Sequence, residues 1–374
     1  MNILHVAKIV GIAGAENYLL KILPELVKHN VHIEFLCLVP KNLKGKEVEF
    51  CLLLEKNNIK VHTVYYSSII TFINQKKIKK ILPNFDLIHT HLIHADFFIA
   101  LINKLSKTKF KQISTKHGHD ESYTNRYGFK TDGNKVLKYH YIAKFSEKQI
   151  LKSFAISQGL RKLFIAHKIC DESRIDTIYY GFDYDNDKIQ DKFRRSENQL
   201  LLVGRFTELK GHKVAIECVN LLKSKFKDIK LIFVGNGYFE SKMKLLVKNL
   251  SLENFVSFMG YQSNSIEYMK SSDIILIPSK AEGFGLVALE AYSVKKPIIS
   301  FNVPALNEII IHQKTGALVQ PYSVDQFSKE IEQLLINNEK RIEYGNNGYN
   351  LLKHKFSLNR MTQETIDFYQ SCLS

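Results

Sequence analysis

A short apolar run, a glycine-rich turn and a helical pattern follow one another at residues 2–28, and the same succession restarts at residue 199. Short, nearly unbroken apolar runs separated by helical stretches point to strands covered on both faces, and so to parallel sheets between helices. In the first half, strands are expected at 2–7, 32–38, 60–65, 87–90 and 111–115, with helices at 15–28, 46–57 and between the last two strands. In the second half, strands are expected at 199–203, 230–234, 273–277 and 297–301, with a helix at 212–225. Residues 181–197 are polar and include Gly181 and five acidic residues, which reads as a linker. The expected fold is α/β: two Rossmann-like, doubly wound domains, 1–180 and 198–357, joined by the 181–197 hinge. A final helical segment, 358–374, follows the second domain. Tandem domains of this kind place a ligand cleft between the carboxyl ends of their strands.

Composition narrows the class. The chain has 374 residues, room for two domains of about 100–200 residues each. Hydrophobic residues make up 45% and charged residues 24%, which argues against disorder. The five cysteines, at 37, 51, 170, 218 and 372, have no metal-ligand or redox spacing, so a reducing cytoplasm is the expected setting. No basic start with a following apolar run, and no stretch of about 18 apolar residues, suggests a signal peptide or a membrane span. The formal charge is +16, and it is uneven: residues 1–180 carry 28 Lys+Arg against 15 Asp+Glu, the remainder 25 against 22. A lysine-rich solvated surface is one reading, and adhesion to an anionic membrane surface is the other. Nucleic-acid binding is not expected, because no module interleaves aromatic and basic residues.

The chemistry concentrates in two strings of the second half. The first is Pro278-Ser279-Lys280-Ala281-Glu282-Gly283-Phe284-Gly285-Leu286-Val287, continuing to Glu290 and Ala291. It reads as strand end, glycine turn and helix start, where free backbone amides and the helix dipole suit a diphosphate. Glu282 and Glu290 are natural acceptors for sugar or ribose hydroxyls. The second string is Val203-Gly204-Arg205-Phe206-Thr207-Glu208-Leu209-Lys210-Gly211, whose Arg205 and Lys210 could clamp a leaving diphosphate as negative charge develops.

Together these strings resemble the large retaining glycosyltransferase family, of GT-B fold, that includes sucrose synthase and the phosphatidylinositol mannosyltransferases. The resemblance spans nearly the whole chain and is most specific from 203 to 319. It implies that Arg205 and Lys210 bind the donor diphosphate, that Glu282 touches the donor sugar, and that Glu290 touches the ribose. Gly283, Phe284, Gly285, Leu286 and Val287 would line the donor, Gly235 would lie in the turn below the nucleoside, and Met259 and Tyr261 would flank the base. Pro304 to Glu308 and Thr315 to Val319 match closing segments, although a glycine often present near 305 is replaced, which leaves the role of Glu308 open. In the first half, Gly11-Ile12-Ala13-Gly14-Ala15-Glu16 resembles a glycine loop in which Gly14 would approach the donor, with Ala13 standing for a glycine. Thr115-Lys116-His117-Gly118 resembles the segment whose histidine lies near the reacting sugar, so His117 would stabilise the donor sugar or orient the acceptor. The family's front-face retention lets the leaving phosphate help deprotonate the acceptor. The final helix, 358–369, would cross back to the first domain and form a closing hinge with the 181–183 linker.

Other signals weigh less. His89, His91 and His94 lack clean convergence for a metal, and no metal or cofactor is expected. Asp183-Tyr184-Asp185 mimics a metal motif but falls in the hinge. Lys76, Lys77, Lys79 and Lys80 lie on a helix that is either a solvated face or an interfacial one. With Lys104, Lys107, Lys109, Lys111, Arg161 and Lys162 they could make a basic face. The expected activity is transfer of a hexose or N-acetylhexosamine from a nucleotide diphosphate, with uridine ranked ahead of guanosine as the base. The acceptor would be a glycan or lipid-linked precursor of a surface polysaccharide or lipopolysaccharide, met in the cytoplasm or at the inner membrane face. A catalytically inactive nucleotide-binding scaffold of the same fold is the alternative, and a sugar-nucleotide epimerase is disfavoured because both strings are present together.

Overall fold

The computed structural model describes residues 1–12, 14–73, 76–107, 109–119, 123, 124, 126–130, 138–183, 193 and 196–374. The chain forms two compact units. The first comprises Met1–Tyr123, Lys130–Gly181 and Leu358–Ser374; the second comprises Thr124–Phe129 and Phe182–Ser357.

The first unit alternates β1 (Asn2–Lys8), α1 (Gly14–Lys28), β2 (His32–Pro40), α2 (Val48–Glu55), β3 (Lys60–Tyr66), α3 (Ile69–Ile73), α4 (Lys76–Ile81), β4 (Leu87–His91), α5 (Leu92–Leu105), β5 (Gln112–Lys116), α6 (Lys138–Glu147), β6 (Lys152–Ala155), α7 (Gln158–Ala166) and β7 (Ile175–Thr177). Its seven strands lie in the order β3-β2-β1-β4-β5-β6-β7, every pair parallel. The central strands β4 and β5 are buried at every position, as strands with helices on both faces must be. Leu4, Leu36, Ile88, Phe72, Phe98 and Ile78 pack into one core cluster. Ile78 anchors α4, and burying one such side chain contributes about 1.5–3 kcal/mol.

The second unit runs β8 (Gln199–Val203), α8 (His212–Leu222), β9 (Lys230–Val234), α9 (Glu240–Asn249), β10 (Val256–Phe258), α10 (Ser265–Lys270), β11 (Ile274–Ile277), α11 (Leu286–Ser293), β12 (Ile298–Phe301), α12 (Leu306–Ile309), β13 (Gly316–Val319), α13 (Val324–Ile336) and α14 (Asn338–Lys355). Its strand order is β10-β9-β8-β11-β12-β13, again all parallel. The last helix, α15 (Leu358–Leu373), belongs to the first unit and packs on α1. Strand order reverses between β1 and β4 in one sheet and between β8 and β11 in the other. Such switch points leave a crevice beyond the strands' carboxyl ends, and both sets of motifs noted above fall there.

Candidate active site

In the second unit, the loop after β8 lies against the turn after β9. The Gly204 amide donates to the Val234 carbonyl at 2.9 Å, and the Phe206 amide donates to the Asn236 carbonyl at 2.8 Å. Gly235 sits at φ 140°, and a Cβ there would lie 2.0 Å from the Gly204 carbonyl oxygen, so only glycine fits. The same loop is tied to the turn after β11, where the Lys280 amide donates to the Leu209 carbonyl at 2.7 Å. That turn ends at Gly285, the N-cap of α11, at φ 101°; a Cβ would meet Leu306 Cδ2 at 2.5 Å. Leu286 and Val287 then head the helix, where amides without intrahelical partners and the dipole favour an anion.

Charged side chains complete this crevice. Lys210 Nζ reaches Glu282 Oε1 at 2.5 Å, and Ser279 Oγ donates to the same carboxylate oxygen at 2.8 Å. The Lys210 stem lies along Gly204. Arg205 is exposed, with no ion pair among the described residues. Glu290 stands partly buried further along α11. Phe284 is buried against Phe356, with ring centroids 6.1 Å apart, so its ring helps to hold the turn. Beyond β10, Met259 is half-buried and Tyr261 is 71% exposed; between them the Gly260 carbonyl accepts from the Gly235 amide at 2.8 Å.

In the first unit, residues 89 and 91 share one face of β4. Strand register sets His5 opposite His89 and Thr115 opposite His91. His117 follows β5, and its Nε2 is 2.9 Å from His91 Nδ1, while its Nδ1 is 2.5 Å from the Tyr180 hydroxyl. His91 Nε2 lies 2.9 Å from His5 Nδ1. Burial pushes the His5 and His117 pKa values down to about 3, and Lys116 further disfavours a proton on His117. Burial also holds His89 and His91 well below the ordinary value. These imidazoles are therefore neutral at pH 7. Lys116 is the reverse case. Burial alone would lower it, but ion pairs with Asp96, at 2.8 Å, and Glu147 outweigh that and keep it protonated. A cavity of about 670 Å³ lies against His117, Lys116 and Asp96, walled by Ile69, Phe97 and Phe164. It sits where β4 ends abruptly at Leu92, a non-glycine residue at φ 68°, a strained geometry of the kind found beside functional sites.

Several sequence expectations change on the structure. The histidine group is His5, His89 and His91, with ring nitrogens within 4.8 Å of one another; His94 instead faces the cavity from α5. Gly14 opens α1, but a Cβ there would meet nothing, so close packing does not demand glycine. Ala13 lies outside the described residues, as do Tyr184, Asp185 and most of the 181–197 linker; Asp183 is exposed. Glu308 Oε1 accepts from the Ala305 amide at 3.2 Å, a cap for α12. The anticipated basic face is partly committed elsewhere. Lys109 Nζ donates to the Asn103 carbonyl at 2.6 Å, Lys111 Nζ to the Cys372 carbonyl at 3.0 Å, and Arg161 Nε to the Ile175 carbonyl at 2.7 Å. Lys76, Lys77, Lys79 and Lys80 remain exposed on α4. No helix among the described residues is long and apolar enough to cross a membrane.

Two doubly wound units, one with a glycine turn at a helix N-terminus beside a lysine and a carboxylate, define the class of α/β protein to which the chain is to be compared. Residues 12–186 match glycosyltransferase family 4, and residues 183–351 match glycosyl transferases group 1. The chain belongs to the family-4-like GT-B glycosyltransferases. It is 26% identical over 379 residues to the Staphylococcus aureus capsular polysaccharide biosynthesis glycosyltransferase CapH, covering 99% of each chain. It is 25% identical over 381 residues to the Escherichia coli O-antigen biosynthesis glycosyltransferase WclY, covering 99% of this chain and 98% of that one. Among solved structures, Anabaena Alr3699/HepE in complex with UDP-glucose shares the fold with a TM-score of 0.82 at 18% identity, covering 99% of this chain and 100% of that one.

Proposed function

We propose that this glycosyltransferase moves a hexose or N-acetylhexosamine, with retention, from a UDP-sugar to a glycan or lipid-linked acceptor in surface polysaccharide or lipopolysaccharide biosynthesis. The observation that carries this reading is the Lys210–Glu282 pair beside the head of α11, with Arg205 exposed at the same crevice. It supplies cationic and amide groups for a diphosphate and a carboxylate for sugar hydroxyls. As the bond from sugar C1 to the β-phosphate oxygen breaks, the UDP oxygen keeps the electron pair, and Arg205, Lys210 and the α11 amides stabilise its charge. The acceptor oxygen forms the new bond to C1, and its proton passes to the leaving phosphate. His117, neutral and with both ring nitrogens engaged, orients rather than acts as base. No metal is needed for charge neutralisation in this scheme. The relatives named for capsule and O-antigen synthesis, and the neighbour solved with UDP-glucose, support the donor and pathway class.

The acceptor side is proposed to be lipid-linked. The 670 Å³ cavity is walled largely by apolar side chains, and Ile69 and Ile70 on α3 are 44% and 71% exposed beside it. The α4 lysines follow immediately in sequence, an arrangement suited to an anionic membrane surface. A screen of UDP- and GDP-sugars for slow hydrolysis, read by mass spectrometry with and without EDTA, tests the donor. Release of UDP that survives chelator is expected. Binding of a nucleotide sugar with neither hydrolysis nor transfer would point to the inactive nucleotide-binding scaffold, and loss on chelation with Mn²⁺ rescue would bring metal into the mechanism.

A further inference from the structure

We propose that the orientation and tautomer of His117 are coupled to those of His91, His5 and His89 by one chain of hydrogen bonds that runs through Tyr369 on α15, making Tyr180, His91 and Tyr369 positioning residues for His117. The chain lies wholly within the first unit. From the Tyr180 hydroxyl it passes to His117 at 2.5 Å, to His91 at 2.9 Å and to His5 at 2.9 Å. It continues from His5 Nε2 to the Tyr369 hydroxyl at 3.2 Å, from there to His89 Nδ1 at 2.8 Å, and from His89 Nε2 to Thr115 Oγ1 at 2.7 Å. Each histidine is entered through Nδ1 and left through Nε2. A neutral imidazole has one donor and one acceptor nitrogen, so all four rings must carry the same tautomer or a buried bond is lost.

Every interior link can serve either direction, so the chain as a whole carries one of two arrangements, Nε2–H on all four rings or Nδ1–H on all four. A metal held by His5, His89 and His91 would need convergent lone pairs. Instead the His5 and His91 rings are nearly coplanar, 8° apart with centroids at 5.1 Å, as an in-plane N–H···N bond requires. The charged neighbour that bears on His117 is Lys116, which also keeps the ring neutral. The result is that α15, far from His117 in sequence, governs how that ring meets the transferred sugar or the acceptor. This functional half rests on the role proposed for His117 above.

Two-bond ¹H–¹⁵N correlation spectra of the ¹⁵N-labelled full chain read the tautomers directly. The expected result is one and the same tautomer on residues 5, 89, 91 and 117, with no titration between pH 6 and 8. Tyr369→Phe keeps the ring but cuts the chain; it should give mixed tautomers at His117 and lower kcat about 10–100-fold, the range for partners that orient a functional histidine, with donor KM unchanged. Tyr180→Phe, which removes the partner of His117 Nδ1 at the other end of the chain, should shift the His117 ring signals and lower kcat in the same way, and covers the case of a poorly folding Tyr369→Phe. Mixed tautomers in the wild type, or ring shifts on adding Zn²⁺ alone, would overturn the chain. Scrambled tautomers with unchanged kcat would overturn the positioning role. A wild type that transfers no sugar refutes the proposed function, while the tautomer spectra still decide the chain.

Discussion

Lowering the pH from 7 to 5 puts the buried imidazoles of the first unit under direct load. His5 and His117 have folded-state pKa values near 3 because of burial, against about 6.5 in an unfolded chain. Below 6.5 the unfolded chain binds protons that the folded chain refuses until about pH 3. Stability from these rings is therefore complete above 6.5 and is lost as pH falls through that window. At pH 5 the loss is about 2 kcal/mol per ring, or about 4 kcal/mol for the two, from the linkage relation. His89 and His91 shift in the same direction and add to it. Total stabilities of about 5–15 kcal/mol leave little margin against such a loss. The second unit has His212, lowered to about 4 by burial, as its corresponding ring, so it should lose less. The chain has no tryptophan, so far-UV circular dichroism in urea at pH 7, 6 and 5 is the global assay. Amide hydrogen exchange in β1 and β4 resolves the first unit. Unchanged protection of those strands at pH 5 would refute neutral, buried histidines.

Three further outcomes follow from particular residues. Ala305 is held at φ 71°, where a side chain is strained, so Ala305→Gly should leave stability unchanged or raise it by up to about 1 kcal/mol in thermal melts; a clear loss would show that the strain is absent. Gly235→Ala drives a Cβ into the Gly204 carbonyl and should both destabilise the second unit and weaken UDP binding by calorimetry, whereas a wild-type melt and affinity would mean that the loop moves aside freely. Peripheral binding to anionic vesicles at low salt should be released by 1 M salt, where screening shortens to about 3 Å, and weakened by Lys76→Glu with Lys77→Glu, Lys79→Glu and Lys80→Glu; protein left in the supernatant at low salt would rule out the membrane reading.

Much of this architecture could be read from the chain because strongly apolar strands and glycine turns are local signals. Strands β1, β3, β8 and β9 lie within a residue of where the apolar runs put them. The strands β6, β7 and β13 were not foreseen, since three or four residues show no reliable period. The crevice in the second unit was legible because its residues stand in two contiguous strings. That Lys210 would rest on Glu282 was not, because a loop's closure is a tertiary event. The histidine chain was hidden for a different reason. His5, His91, His117 and Tyr369 lie on four separate elements, and only parallel register and the return of α15 bring them together. Ala305 showed in the sequence as a missing glycine, and the backbone kept the left-handed geometry despite the substitution.

The central claim is that Arg205 and Lys210 stabilise a departing diphosphate. Turnover of the Arg205→Ala/Lys210→Ala double variant, measured with the donor found by the hydrolysis screen and alongside a thermal melt, tests it most directly. Removing one such stabilising contact lowers rates by about 10²–10³, so the double variant should lose at least that factor while its melting temperature stays close to wild type. Wild-type turnover in that variant would contradict the account.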